Sequence, residues 1–214
     1  MVRTRTKLVN HARGLVKSFG ERLPSCTAAS FHRKARAHVP APLKPALEPL
    51  FVMLEQLEAQ IDTYDQLLER VAKKYPDIEV VGQPKGVGLL TGLVFLLTLE
   101  DKHRFKKSRM VGAFVGFNPR RDQSGDCDKQ LGITKAGDAF LRKLAVGCAN
   151  YILGPFGQDS DLRRWGLNLA KRGGKNAKRR ATVAVARKLV VLMHRLWVTG
   201  EVYEPLRNST KLAA

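Results

Sequence analysis

The sequence predicts a mainly α protein, on three observations. Residues Leu47, Leu50, Leu54, Leu57, Ile61, Tyr64, Leu68 and Val71 alternate three and four apart, the spacing of an a/d seam. Near the end, Thr182, Val185, Ala186, Leu189, Val190, Met193, Leu196 and Trp197 form a second apolar stripe on a helix over about Lys178 to Trp197. At the start, Leu8, Ala12, Leu15, Val16 and Phe19 sit at helical spacing among Arg3, Arg5, Lys7, Arg13 and Lys17.

Taken in chain order, residues 1–45 read as that basic amphipathic helix followed by a connector, because Pro24 to Pro45 holds four prolines. Residues 46–75 read as the seam-bearing helix, suited to a coiled coil or antiparallel hairpin, and equally to an ordinary amphipathic helix. Pro76 ends it. The run from Val87 to Leu99 is apolar, contains glycine and is too short to cross a bilayer, so it reads as a buried helix. The tight turn at Gly86 and Gly88 before it resembles the second half of a helix-hairpin-helix element, in which turn amides approach a phosphate. A plainer role for these glycines is to let two helices pack closely. Residues 76–208 form one further helical domain, and 209–214 a tail.

Charge sets the class of partner. The 214 residues include 38 Lys plus Arg against 19 Asp plus Glu, a formal net charge of +19, which favours a polyanion through counterion release. At 44% hydrophobic residues the chain can still build a core, unlike a disordered basic tail. The three cysteines are widely spaced with no C-x-x-C pair and the histidines form no ligand cluster, so neither a disulfide framework nor a zinc site is expected. No apolar signal segment follows Met1, and a reducing cytosol is the simpler setting, with no membrane partner.

Candidate phosphate contacts fall in two clusters. Lys106 and Lys107 lie in a basic run from Lys102 to Arg109, and Lys175, Lys178 and Arg179 lie in RGGKNAKRR. The second is not a Walker motif, since Asn176 stands where Ser or Thr is needed and the earlier glycine is missing. Either cluster also fits a merely solvated face. Hydrolase elbows, H-E-x-x-H and calcium loops are all absent.

Ser124 is set apart by its surroundings. From Pro119 the chain reads P-x4-S-G, with Arg120 and Arg121 before the serine and Gly125 after it, then K-x-G-x4-R at Lys135, Gly137 and Arg142. On residues alone this is a loop serine in a turn. The combination, together with KGVGLLTGLVFL, RFKKSRMVGAFVGFNPR and GKNAKRRATVAVARKLVVLMHRLW, resembles the C-terminal domain of the IS-one-ten insertion-sequence transposases, relatives of the pilin-gene invertase Piv. The resemblance runs from about Val2 to Arg207.

That resemblance implies a DNA transposase or recombinase in which Ser124 attacks a phosphodiester and forms a phosphoserine link. Gly125 would let DNA approach, and Lys135 and Arg142 would face phosphate as cations. It also implies Mg²⁺ held by an N-terminal RuvC-like acidic domain, a structured guide RNA bridging two DNAs, and a homo-oligomer with composite active sites, assembled through the coiled coil. Two departures are plain: Gln123 stands where many members have a first serine, and the acidic domain has no counterpart here. The expectation is therefore a truncated, split or mis-started transposase. The rival from another class is a non-catalytic DNA- or RNA-binding remnant. A ribosome-associated basic protein explains neither the serine block nor the seam.

Overall fold

A computed structural model describes residues 1–124 and 127–208, and of 127–130 the backbone only. Its described secondary structure is mainly α, with one two-stranded sheet. The chain divides into two compact units, Met1–Arg70 and Val71–Ala214.

The first unit is built from α1 (Val2–Ser18), α2 (Phe31–Arg36) and α3 (Lys44–Ala72), with a 3-10 turn at Ala41–Leu43 leading into α3. The proline-rich connector thus holds a helix that the sequence reading passed over. Phe31 is its reason: fully buried, it stacks on Phe51 of α3 with ring centroids 5.7 Å apart, and Arg13 of α1 lies 5.1 Å from its ring. Phe31 therefore ties all three helices together, and the burial of Val9, Ala12 and Val16 with Leu47, Phe51 and Leu54 completes the core. Arg5 meets Glu58 at 2.7 Å, whereas Arg13, two turns on, reaches the Phe31–Phe51 stack, so α1 runs antiparallel to α3. The face of α1 that turns inward is Val9, Ala12 and Val16; Leu15 and Phe19 are exposed. Along the α3 seam, Leu47, Leu54 and Ile61 are buried, while Tyr64 beyond them is half exposed.

The second unit contains α4 (Asp77–Val81), α5 (Leu89–Leu99), α6 (Arg109–Phe114), the strands β1 (Pro119–Ser124) and β2 (Cys127–Ile133), α7 (Ala139–Leu153), α8 (Asp161–Lys171) and α9 (Ala177–Thr199). The last is the hub, packed by α4, α6, α7 and α8. Its sequence allows this because Ala181, Val185, Ala186, Leu189, Val190, Met193 and Leu196 are all buried, a stripe too wide for a one-sided helix. Neighbours come close where they carry glycine. A Cβ at Gly166 of α8 would collide with Val185, and one at Gly112 of α6 would sit 2.9 Å from Arg187 Cγ. Edge-to-face rings finish the core: Phe95 against Trp197 at 6.2 Å, and Phe105 against both Phe114 and His194.

The ends of this unit are pinned to each other. The Gln83 side chain donates to the Glu201 carbonyl at 3.4 Å and accepts from the Tyr203 amide at 2.6 Å, as a neighbouring strand would. Glu201 in turn holds Arg195 and Arg207, each at 3.1 Å. Among the described residues Cys26 and Cys148 are free thiols. No described helix is long and apolar enough to cross a membrane.

Two outcomes follow from these cores. Phe51→Ala should destabilise the first unit by about 3–5 kcal/mol, read as a lower denaturant midpoint, because it removes a buried ring and orphans the Phe31 stack. His194 is buried, bonds Ser108 Oγ through Nδ1 at 3.0 Å, and has its pKa pushed down, chiefly by burial. A depressed histidine contributes stability that is complete above the unfolded value of about 6.5 and lost as pH falls below it, so His194→Gln should flatten that part of the stability–pH curve.

Candidate active site on the hairpin

The hairpin is antiparallel, with Arg121 opposite Gln130, Asp122 opposite Lys129, Gln123 opposite Asp128 and Ser124 opposite Cys127; an irregularity lies between Pro119 and Arg121. Every residue of β1 is exposed, so this ladder lies away from any core. Ser124 occupies the last described position of β1, at the tip, and Arg120 and Arg121 precede it on the same exposed strand. Gly125 lies outside the described residues.

The base of the hairpin is built by two interlocked turns. Gly116 (φ +83°) and Gly137 (φ +72°) are both left-handed, a conformation cheap for glycine. They also have no room for a side chain: a Cβ at Gly116 would strike the Ala136 backbone, and one at Gly137 would strike the Phe114 carbonyl. Lys135 amide to Gly116 carbonyl (3.1 Å) and Thr134 amide to Asn118 carbonyl (2.8 Å) join the two legs. Arg142 Nη1 then donates to the Val115 carbonyl at 3.0 Å and the Ala136 carbonyl at 2.9 Å, one on each turn. The K-x-G-x4-R block is thus a staple. Gly137 supplies the crossing, Arg142 the clamp, and Lys135, itself at φ +59°, is left exposed beside the hairpin. Asp138, between them, caps α7 by accepting from the Leu141 amide at 2.5 Å.

Beside the hairpin lies a cleft of roughly 860 Å³ formed with α6, α8 and α9. Arg109, Lys135, Arg179, Arg180, Arg187 and Lys188 line it, so Lys135 and Arg179 of the expected contacts come together. Arg179 also lines a second hollow, with Lys175 and Lys178, around the left-handed pair Gly173 and Gly174. One basic surface therefore runs from the hairpin base into the 173–179 loop. Lys106 and Lys107 are exposed, while Arg104 lies 5.0 Å from the Phe114 ring. Gly88 precedes α5 in open space, but Gly86 (φ +102°) is packed on α7, where a Cβ would sit 2.8 Å from Tyr151 Cδ1. Close helix contact is the role its geometry displays. The reading from sequence missed Arg187, Lys188 and Trp165 as site residues. Lys188 Nζ lies 3.8 Å from the Trp165 ring centroid, and burial lowers its pKa. The signal was there in α8, whose one tryptophan sits amid DLRRWGLNLAK.

Among the described residues no three His, Cys, Asp or Glu side chains converge on a point.

The second unit is a helical domain that stands an exposed serine on a cation-flanked hairpin, and known sequences share its pattern. Residues 79–161 match the family model described as Transposase IS116/IS110/IS902 family. Over 215 residues the chain is 33% identical to the transposase for insertion sequence element IS1111A of Coxiella burnetii, covering 95% of this chain and 57% of that protein. It is 27% identical over 213 residues to a Pseudomonas aeruginosa protein named "Probable family 20 transposase", covering 96% and 62% respectively. A transposase for element IS1328 of Yersinia enterocolitica is 29% identical over 153 residues, 70% of this chain and 46% of that one. The chain belongs to the IS116/IS110/IS902 family of transposases, and it spans between about half and two thirds of the length of these relatives.

Gly137→Ala should open the staple. It forces a strained left-handed alanine against the Phe114 carbonyl, a cost of about 1–3 kcal/mol, and limited proteolysis should then cut within 116–137 faster than in the wild-type chain.

Proposed function

We propose that this chain is the serine-bearing part of a DNA transposase and that Ser124 is its nucleophile. The observation that carries the reading is Ser124 at the exposed tip of a hairpin whose base is fixed by Gly116, Gly137 and Arg142. In the step proposed, the Ser124 hydroxyl loses its proton to a general base and Oγ bonds to phosphorus. One bridging P–O bond of the DNA breaks, and the released sugar oxygen takes up a proton. One phosphoester replaces another, so rejoining needs no external energy source. Lys135, Arg120 and Arg121 would neutralise the phosphate, and Arg142 would act by holding Lys135 in place. The Mg²⁺ expected of the family would be bound by acidic groups outside the described residues. A guide RNA and the DNA would share the basic surface of the cleft and the 173–179 loop, and a second copy would cover the α3 seam at Tyr64 and Leu68.

The second reading, a binding remnant without chemistry, is favoured by the lack of a converging acidic cluster among the described residues. One experiment separates the two. The chain, supplemented with an acidic RuvC-like domain from a family member and Mg²⁺, is incubated with end-labelled insertion-sequence DNA. The covalent protein–DNA adduct is then mapped by mass spectrometry. The expected result is an adduct on Ser124, abolished in Ser124→Ala with DNA affinity changed less than about twofold. An adduct that persists in Ser124→Ala sinks the nucleophile assignment, and absence of any adduct in the wild type supports the remnant.

A further inference from the structure

The cleft beside the hairpin has a feature that phosphate binding does not use: its floor is apolar. Phe117, Leu131, Ile133, Leu169, Val183 and Val191 line it beneath the six cations. Leu131, on β2, is 45% exposed. A surface made only to grip a sugar-phosphate backbone gains nothing from such residues. A surface that receives a base does, because a base brings a flat apolar face attached to a charged link.

We propose that this cleft captures an unpaired base of a single DNA strand, with its flanking phosphates held by the cations at the rim. The charge is complementary: among the described residues six Lys and Arg side chains line the cleft and no carboxylate does. At roughly 860 Å³ it has ample room for one nucleotide, within the range of small-molecule clefts. The base would slide between the hairpin face at Leu131 and the α9 face at Val183 and Val191, with the Trp165 indole at the wall. Lys188 is already held against that indole, 3.8 Å from its centroid and partly desolvated, so its charge stays inside the cleft. Among the described lining residues none is Ser, Thr, Asn, Gln, Asp or Glu. No described side chain there accepts from a ribose 2′-hydroxyl, so nothing in that lining rewards RNA over DNA. The apolar faces stack any base, while the arginines add a preference for guanine edges. The proposal does not depend on Ser124 being a nucleophile, and its test involves no strand cleavage.

The intact chain is titrated, at one fixed salt concentration, with a short single-stranded DNA and with the same length of abasic sugar-phosphate strand. The matching duplex and the RNA strand complete the set. Binding is followed by anisotropy, with tryptophan emission as a second signal. The expected result is quenching by the single strand that Trp165→Phe removes, and binding of the abasic strand weaker by about tenfold, the size of one base-stacking contact. Leu131→Gln should reproduce that tenfold loss for the single strand and leave duplex affinity within about twofold; Leu131 is exposed, so circular dichroism should show an unchanged fold. Equal affinity for abasic and base-bearing strands overturns the proposal and leaves the cleft to a protein segment. Tighter binding of the RNA strand overturns the assignment to DNA.

Discussion

Two stretches of backbone crossing at closer than side-chain distance set the geometry of the hairpin that carries Ser124. Gly116 lies on Ala136, and Gly137 lies on Phe114. With every residue of β1 exposed, apolar burial, which orders most small structural elements, does not position that strand. It is positioned at its root. There, amide–carbonyl bonds between the legs and a guanidinium shared by two carbonyls do what packing does elsewhere. A charged donor suits this role, since hydrogen bonds from an ionised group are about twice as strong as neutral ones. The cost is that Arg142 has part of its donor set committed to the fold.

The root in turn is anchored to the hub helix. α6, which leads into Gly116, approaches α9 closely because Gly112 has no side chain, and α8 does so through Gly166. Those approaches bring hairpin, α8 and α9 around one cleft. An arginine on α9 and a lysine on the loop after β2 are 44 to 52 positions apart in sequence, counting Arg179 and Arg187 from Lys135, yet they share a wall. Basic residues concentrated this way repel one another, and that repulsion is relieved by a polyanion. The same packing that stabilises the second unit therefore gathers its cations on one surface.

Helices were legible where periodicity was strong. The seam from Leu47 fixes α3 and the stripe from Thr182 fixes α9, with boundaries within a few residues of those seen. The hairpin was not legible. PRRDQS has no β-branched or aromatic residue and no alternation, because a strand exposed on both faces has no apolar side to display. α2 was hidden by the prolines on either side of it, and it exists for the sake of Phe31, whose partners Arg13 and Phe51 are remote in sequence. The serine block was recognisable as a pattern, but the separate tasks of Lys135, Gly137 and Arg142 were not. A spacing does not reveal which member faces solvent and which bonds carbonyls. Trp165 and Lys188 were missed for a similar reason, since each looks ordinary until α8 is laid on α9.

The Gln83 clamp bears on how the second unit comes into being. A single side-chain amide, bonded to both Glu201 and Tyr203, closes a loop of 120 residues. Closing so long a loop is entropically unfavourable until most of the intervening chain is already ordered. Contacts of such sequence separation slow folding. Once made, the clamp turns an open chain into something close to a ring, in which the residues after α9 cannot peel away without also freeing the turn before α5.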